Sequence, residues 1–151
     1  MMILQNLESI FSRDLLKLSQ EIELYKDVNV IWHYEKNISN SAGNLCLHLV
    51  GNLNTYIGAE IGKTGYIRNR DAEFSSKGVE QSVLIQMVSE TMKTVKESLL
   101  NFNPALLHTE YPLLVFDTKT SYEFFLIHLA THLNYHLGQI NYHRRLLDVW
   151  K

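Results

Sequence analysis

Apolar residues recur at three- and four-residue steps along almost the whole chain, and few residues interrupt this helical period. The only prolines, Pro104 and Pro112, lie within one short stretch. The pattern predicts four long helices, at about residues 2–24, 42–61, 79–102 and 120–149. A length of 151 residues suffices for one domain with a proper core. We therefore predict a single all-α domain over residues 1–151, a four-helix bundle with long connections.

The connections between these helices carry recognisable capping signals. The cluster at residues 39–41 offers N-cap oxygens to the second helix, and Thr120 with Glu123 has the form of a capping box for the last one. The charge-rich loop at 63–77 is typical of solvated surface. Residues 105–119 are predicted to be a connector that contains a short extended piece.

Charge and composition exclude several classes of protein. Fourteen Lys and Arg against sixteen Asp and Glu give a net charge of −2, and no basic block indicates binding to nucleic acid. Glu8, Arg13 and Asp14 interrupt the N-terminal apolar residues, so we expect neither a secretory signal nor a membrane span. The single cysteine, Cys46, cannot form an internal disulfide. We predict a cytoplasmic protein.

Three histidines of the last predicted helix are spaced four residues apart, which places them one helical turn from each other. Two such imidazoles can bind one metal ion if a third ligand comes from elsewhere. On a helical projection His136 lies within about 40° of Ile140, His132 about 40° further round, and His128 about 40° beyond that. The projection favours His132 with His136, while a pairing of His128 with His132 remains open.

The third ligand suggested by the sequence is His48, on the second predicted helix. It projects to the flank of the apolar arc beside Leu45, a position that suits a ligand between two helices and also suits an ordinary exposed histidine. Cys46 projects to the opposite side and is assigned to the core. His143 lies about 10 Å along the axis from His136 and is not a first choice.

Aromatic residues are predicted to pack in the interior or at interfaces. Trp32 and Trp150 are expected to anchor the core or an interface. The aromatics of the last helix are expected to pack and not to form a substrate or cofactor box; they are Tyr122, Phe124, Phe125, Tyr135 and Tyr142.

Three segments together resemble one protein family over nearly the whole chain. They are NSAGNLCLHLVGNLNTYI, RNRDAEFS and HLNYHLGQINYHRRLL. In order and content they are similar to the DinB-like (DinB/YfiT) superfamily of bacterial metal-binding four-helix bundles.

This resemblance implies a DinB/YfiT-like fold and a site for a divalent metal ion. By position, the ligands that it implies are His48, His132 and His136, the last followed closely by Gly-Gln as in the family. Members with known activity are largely thiol-dependent, among them bacillithiol S-transferases and mycothiol-dependent isomerases. The family name implies no binding to DNA.

Three neutral imidazoles would leave a zinc or nickel ion at least one open position, which is the arrangement of catalytic sites. A bound thiol would be held there as the nucleophilic thiolate, and a bound water would be acidified. Gln139 lies one turn beyond His136, and Asn52 one turn from His48, so both could orient a ligand or a water.

Two arginines in the charge-rich loop, Arg68 and Arg70, could bind the carboxylates of a small thiol, since Arg suits bidentate recognition of anions. The alternative for Arg70 is a surface ion pair with Asp71 or Glu73.

Other metal-binding bundles lack support in the sequence. Neither the Glu-x-x-His motifs of di-iron bundles nor His-Glu-x-x-His occurs, and no Cys-x-x-Cys-His indicates haem.

Three classes of function remain. The first is a metal-dependent thiol S-transferase that acts on a small electrophile, the second a noncatalytic metal-binding bundle related to stress, and the third a metal-free dimerisation module. Exposed apolar area on the first and third helices would favour a homodimer under any of the three.

Overall fold

The computed structural model describes residues 2–35 and 37–149, and within these ranges the chain forms five α-helices. They are α1 (Met2–Glu23), α2 (Ala42–Leu53), α3 (Arg70–Ser75), α4 (Gln81–Leu100) and α5 (Tyr122–Leu147). A π-helical turn, Asn54–Ala59, continues α2, and short 3₁₀ turns occupy Val30–Trp32 and Pro104–Leu106. No β-strand forms in the described ranges, which confirms the all-α prediction; Trp150 lies outside them.

The four long helices share one hydrophobic core. α1 packs along α4 and α5, and α2 packs against α3, α4 and α5. The buried stripe of α1 follows the three- and four-residue steps expected of an amphipathic helix, with Leu4, Leu7, Phe11, Leu15, Leu18 and Ile22. Cys46 is fully buried among these helices, as predicted, and burial raises the pKa of its thiol to about 12.

Every residue of α2 is buried, including His48, whose flank position suited either a ligand between two helices or an exposed histidine. Two neighbours cover the sides of α2 that lie outside its apolar arc. The ring of Trp32 lies where a side chain on Gly43 would otherwise project, and α3 covers the other side. The Asn44 amide donates to the carbonyls of Glu73 (3.0 Å) and Ser76 (2.8 Å), which ties α3 to α2. The flank position of His48 is therefore interior, with the residue 8% exposed.

The cap of α5 differs by one residue from the prediction. Ser121, and not Thr120, is the N-cap, and its hydroxyl accepts a hydrogen bond from the Phe124 amide at 3.1 Å. The Thr120 carbonyl instead accepts from the Tyr111 amide, next to an isolated antiparallel bridge between Glu110 and Ser121. Within the predicted connector, Glu110 is the residue that takes part in this extended bridge.

The loop at 63–77 is more than solvated surface, and the prediction for it was wrong in part. It contains α3, which is capped by the Asn69 side chain accepting from the Ala72 amide and has Asp71 and Glu73 in its first turn. Glu73 is buried, because it has charged and polar partners in the interior.

The packing prediction for the aromatics of α5 holds only in part. Phe125 is buried and Tyr122 packs against the core, but Phe124, Tyr135 and Tyr142 are more than half exposed. Their positions fall outside the apolar stripe of the helix, so burial follows the helical face and not the residue type.

No helix among the described residues has both the length and the apolar character needed to cross a membrane.

A buried hydrogen-bond network joins α5 to the segment that follows α1. The Tyr25 hydroxyl donates to His143 Nδ1 at 2.7 Å, and His143 Nε2 donates to the His33 carbonyl at 2.6 Å. We expect Tyr25→Phe to lower the free energy of unfolding by about 1–3 kcal/mol, because Nδ1 would stay buried without a donor. Denaturant unfolding measures this, and Tyr142→Phe on the exposed face is the control, with an effect within about 0.5 kcal/mol. Equal losses in the two variants would contradict a stabilising role for the network.

Candidate metal centre

Three histidines from two helices meet at one point of the structure. One ring nitrogen from each of His48, His132 and His136 lies within 4.8 Å of the other two. His132 Nε2 is central, 3.3 Å from His48 Nε2 and 3.1 Å from His136 Nε2. The structure thus brings together the three side chains that the sequence and the resemblance selected.

The spacing of these nitrogens fits a shared metal ion. Imidazole nitrogens about 2.0–2.1 Å from a tetrahedral zinc ion lie about 3.3–3.4 Å apart. The two Nε2 separations on His132 are close to this value. The three nitrogens therefore lie close enough to hold one divalent ion.

Glu73 orients the ring of His48. Its Oε1 lies 3.1 Å from His48 Nδ1, and a carboxylate accepts hydrogen bonds, so the contact places a proton on Nδ1 and leaves the lone pair on Nε2. Arg68 holds the carboxylate by two hydrogen bonds of 2.8 Å, Nε to Oε2 and Nη2 to Oε1. The buried carboxylate is thus fixed from both sides, which directs the lone pair of His48 into the cluster.

The Gln139 side chain fixes the ring of His136, as Glu73 fixes the ring of His48. Its Oε1 lies 2.7 Å from His136 Nδ1, and a carbonyl oxygen only accepts, so Nδ1 carries the proton and Nε2 carries the lone pair. This contact places Gln139 beside a proposed ligand, and its role in orienting a ligand or a water stays a prediction.

His132 lacks a comparable partner. Among the described residues, two buried side-chain polar atoms make no hydrogen bond, His132 Nδ1 and Asn52 Oδ1. Since His48 and His136 both direct Nε2 lone pairs inward, a proton on His132 Nε2 could satisfy only one of them. If His132 instead carries its proton on Nδ1, its own Nε2 lone pair faces those of His48 and His136. In either case lone pairs in the cluster repel each other, and a cation between them would remove that repulsion.

Burial keeps the three imidazoles uncharged. It lowers the pKa of His132 to about 4, with the neighbouring histidines adding to the effect, and it also lowers the pKa values of His48 and His136 below the usual range. Neutral imidazoles are the form that binds metal. The centre is therefore in its ligand form at neutral pH.

The remaining two histidines of α5 have other roles. His128 lies outside the cluster; its ring stacks 6.0 Å from that of His132 and contacts Phe116 edge-on at 4.7 Å. His143 uses both ring nitrogens in the network with Tyr25. The geometry favours His136 over His128 as the partner of His132.

The two arginines of the loop differ in their surroundings. Arg68 is committed to Glu73 and also lies 5.7 Å from the centre of the Tyr56 ring. Arg70 is exposed, and its guanidinium lies 5.3 Å from the centre of the Phe74 ring. The sequence suggested that Arg70 pairs with Asp71 or Glu73. In the structure Glu73 pairs with Arg68 instead. Binding of a carboxylate ligand by either arginine stays a prediction.

Glu73 is the residue that the sequence reasoning missed as part of the site. A signal was present: Asn69 followed by acidic residues indicates a helix N-terminus. Gly51 supplied a second signal, since a glycine inside a helix indicates close approach of another group. A side chain on Gly51 would collide with the Glu73 carboxylate, so the glycine makes room for it.

Comparison with known families places the chain in one of them. A family model described as "Protein of unknown function (DUF1572)" matches residues 4–150. The chain belongs to this family. A search of curated proteins finds no match. The DUF1572 match includes all three clustered histidines together with Glu73 and Gln139, and its description assigns no activity.

Proposed function

We propose that this DUF1572 member is a metal-dependent enzyme with a DinB-like four-helix bundle as its single domain. In this proposal His48, His132 and His136 bind one divalent ion, zinc or nickel. The reaction is the transfer of a small thiol to an electrophile. The observation that carries the proposal is the convergence of three Nε2 atoms, two of them directed by Glu73 and Gln139.

An open coordination position is supported by the burial of the ligands. His48 is buried, whereas His132 and His136 are only partly buried, so one side of the cluster faces solvent. Structural zinc sites have four protein ligands, and catalytic sites have three with one position left for water or substrate. The described residues supply three ligands, which favours catalysis over a noncatalytic structural ion.

When bound, a divalent ion would supply Lewis-acid chemistry, lowering the pKa of a thiol at its open position. The protein residues position the ligands. Glu73 and Arg68 fix His48 from the α3 side, and Gln139 fixes His136 from the next turn of α5. This arrangement preorganises the donors, so little reorganisation is needed when substrate arrives.

The proposed transfer balances without a redox partner. The thiol releases its proton to solvent, its sulfur forms a bond to the electrophilic carbon, and the leaving group departs with the electron pair of the broken bond. No oxidant or reductant is consumed.

Elemental analysis of untagged protein tests the metal part of the proposal. We expect about one zinc or nickel ion per wild-type chain and a loss of most of it in His48→Ala and His136→Ala, since each removes one of three ligands. His128→Ala, one turn away on the same helix, is the matched control and should keep its metal. Equal metal content in all four proteins would contradict the assignment of the ligands.

A thiol-conjugation assay on the loaded protein tests the activity. We expect turnover of an electrophile such as 1-chloro-2,4-dinitrobenzene that requires both the metal and the thiol, and that falls with metal content in the histidine variants. Full metal occupancy without thiol-dependent turnover across a panel of electrophiles would favour the noncatalytic metal-binding bundle. The cytoplasmic location and the homodimer stay predictions.

A further inference from the structure

A cavity of about 440 Å³ lies beside His136, one of the three clustered histidines, and extends along the C-terminal half of α5. The segment at 37–40 closes one side, and His136 and Gln139 lie in its wall. Leu45, one turn before His48 on α2, also lines it. Its volume falls within the range of small-molecule sites in proteins. A molecule in this cavity would therefore be next to a proposed metal ligand.

The described residues that line the cavity include no Asp, Glu, Lys or Arg. Aliphatic side chains form much of the wall, namely Ile38, Leu45, Leu146 and Leu147. His143 is the one titratable histidine there besides His136, and both of its nitrogens are already hydrogen-bonded. The other polar residues of this described wall are uncharged, namely Asn37, Ser39, Asn40, Tyr135 and Tyr142, so the wall offers an ionic ligand no counter-charge.

Among the polar groups of the wall, the Gln139 amide is hydrogen-bonded to a proposed metal ligand and is suited to hold an uncharged ligand. Gln139 uses its Oε1 to accept from His136 Nδ1, which leaves its Nε2 group as a donor beside the cavity. An amide N–H recognises a carbonyl, ether or nitro oxygen without requiring charge. Because this amide also orients His136, a ligand bound to it would lie close to the metal centre.

We propose that this cavity binds the electrophilic substrate and selects an uncharged small molecule with an apolar body and one hydrogen-bond acceptor. That the ligand is an electrophile rests on the proposed function, whereas the preference for an uncharged ligand rests on the residues of the wall alone. Transfer of an ion into an apolar wall without a counter-charge costs far more than transfer of a neutral amide that keeps a hydrogen bond.

A matched pair of probes tests this preference. Phenylacetamide and phenylacetate have nearly the same shape and differ in charge. We expect the full-length, metal-free chain, in which no bound cation can attract the carboxylate, to bind the amide with a dissociation constant on the order of 1 mM and the carboxylate at least about tenfold more weakly. Ligand-observed NMR titration measures both, and equal or stronger binding of the carboxylate would overturn the proposal.

Two leucine variants locate the binding. Leu146→Lys places a cation at the wall, on a residue that is 66% exposed, so the fold should tolerate it. It should improve phenylacetate binding by about threefold or more. Leu16→Lys, at a half-exposed position of α1 away from the cavity, is the control and should leave both affinities unchanged. Equal effects of the two variants would place the probes elsewhere and overturn the proposal.

Metal analysis of the wild-type chain, set beside these titrations, separates this inference from the proposed function. If the chain binds no metal but still prefers the amide and responds to Leu146→Lys, the cavity assignment holds and the enzymatic role fails. If metal is bound by the three histidines and neither probe binds, the cavity assignment fails and the proposed metal centre stands.

Discussion

Glu73→Gln should lower the free energy of unfolding of the metal-free protein by about 2–4 kcal/mol and weaken metal binding by about 10–100-fold. The substitution keeps the shape of the side chain but removes its charge. Arg68, whose side chain is 14% exposed, would lose its counter-charge in a largely buried position. The partial exposure of Arg68 makes the expected loss smaller than for a fully enclosed pair.

The effect on metal binding has a separate cause. The Glu73 carboxylate keeps the proton of His48 on Nδ1 and raises the basicity of Nε2. A neutral amide holds that proton less strongly, so the His48 ring can rotate or carry its proton on Nε2, where it would block the metal.

Denaturant unfolding and competition with a chelator measure the two effects of Glu73→Gln. Glu97→Gln is the control for removal of an acid, since its ion pair with Lys93 is long, at 3.9 Å, and exposed; we expect less than about 0.5 kcal/mol and no change in metal affinity. Adding Arg68→Met to Glu73→Gln should recover part of the lost stability, because no unpaired charge remains. Wild-type metal affinity in Glu73→Gln would show that the carboxylate does not support the centre.

The extent of the helices was predictable from the sequence because it depends on local pattern. The stripe of α1 repeats at three- and four-residue steps, and the helix runs over Met2–Glu23 against the predicted 2–24. The capping cluster at 39–41 likewise contains Ser41, the observed cap of α2. The cap of α5 was misplaced by one residue, and the observed cap, Ser121, also pairs with Glu110 eleven residues earlier, a contact that local pattern does not reveal.

Spacing on one helix also made part of the site predictable. His132 and His136 are four residues apart, so their proximity follows from helix geometry, and their rings lie 4.6 Å apart. The position of His48 relative to them depends on how α2 packs against α5, and the helical projection gave it only a flank position. The sequence offered His48 as a candidate third ligand, and the family resemblance, not the periodicity, favoured it over an ordinary exposed histidine.

Glu73 could not be found from local pattern because its burial depends on distant partners. It joins His48, 25 residues away, with Arg68, and the room for its carboxylate is made by Gly51. A stretch rich in charges is usually solvated, and the sequence alone does not show that one of these charges is enclosed. The structure thus extends the site from the three histidines to the residues that hold them.

Metal binding should raise the thermal stability of the protein. In the metal-free centre His132 Nε2 can donate to only one of His48 Nε2 and His136 Nε2, so the protein carries an electrostatic cost that a cation bound by these atoms would remove. At an ion concentration about 1,000 times the dissociation constant, binding adds about 4 kcal/mol of stability. For a chain of this length we expect zinc to raise the unfolding midpoint by about 8–16 °C.

Thermal unfolding with zinc, nickel and then excess chelator measures this rise and its reversal. His132→Ala should abolish it, because His132 is the ring that contacts both of the others. His128→Ala should retain most of it, since that ring stacks on His132 from outside the cluster. A rise that persists in His132→Ala but is lost in His128→Ala would mean that the ion binds elsewhere on α5, and the three-histidine centre would then have no role in holding it.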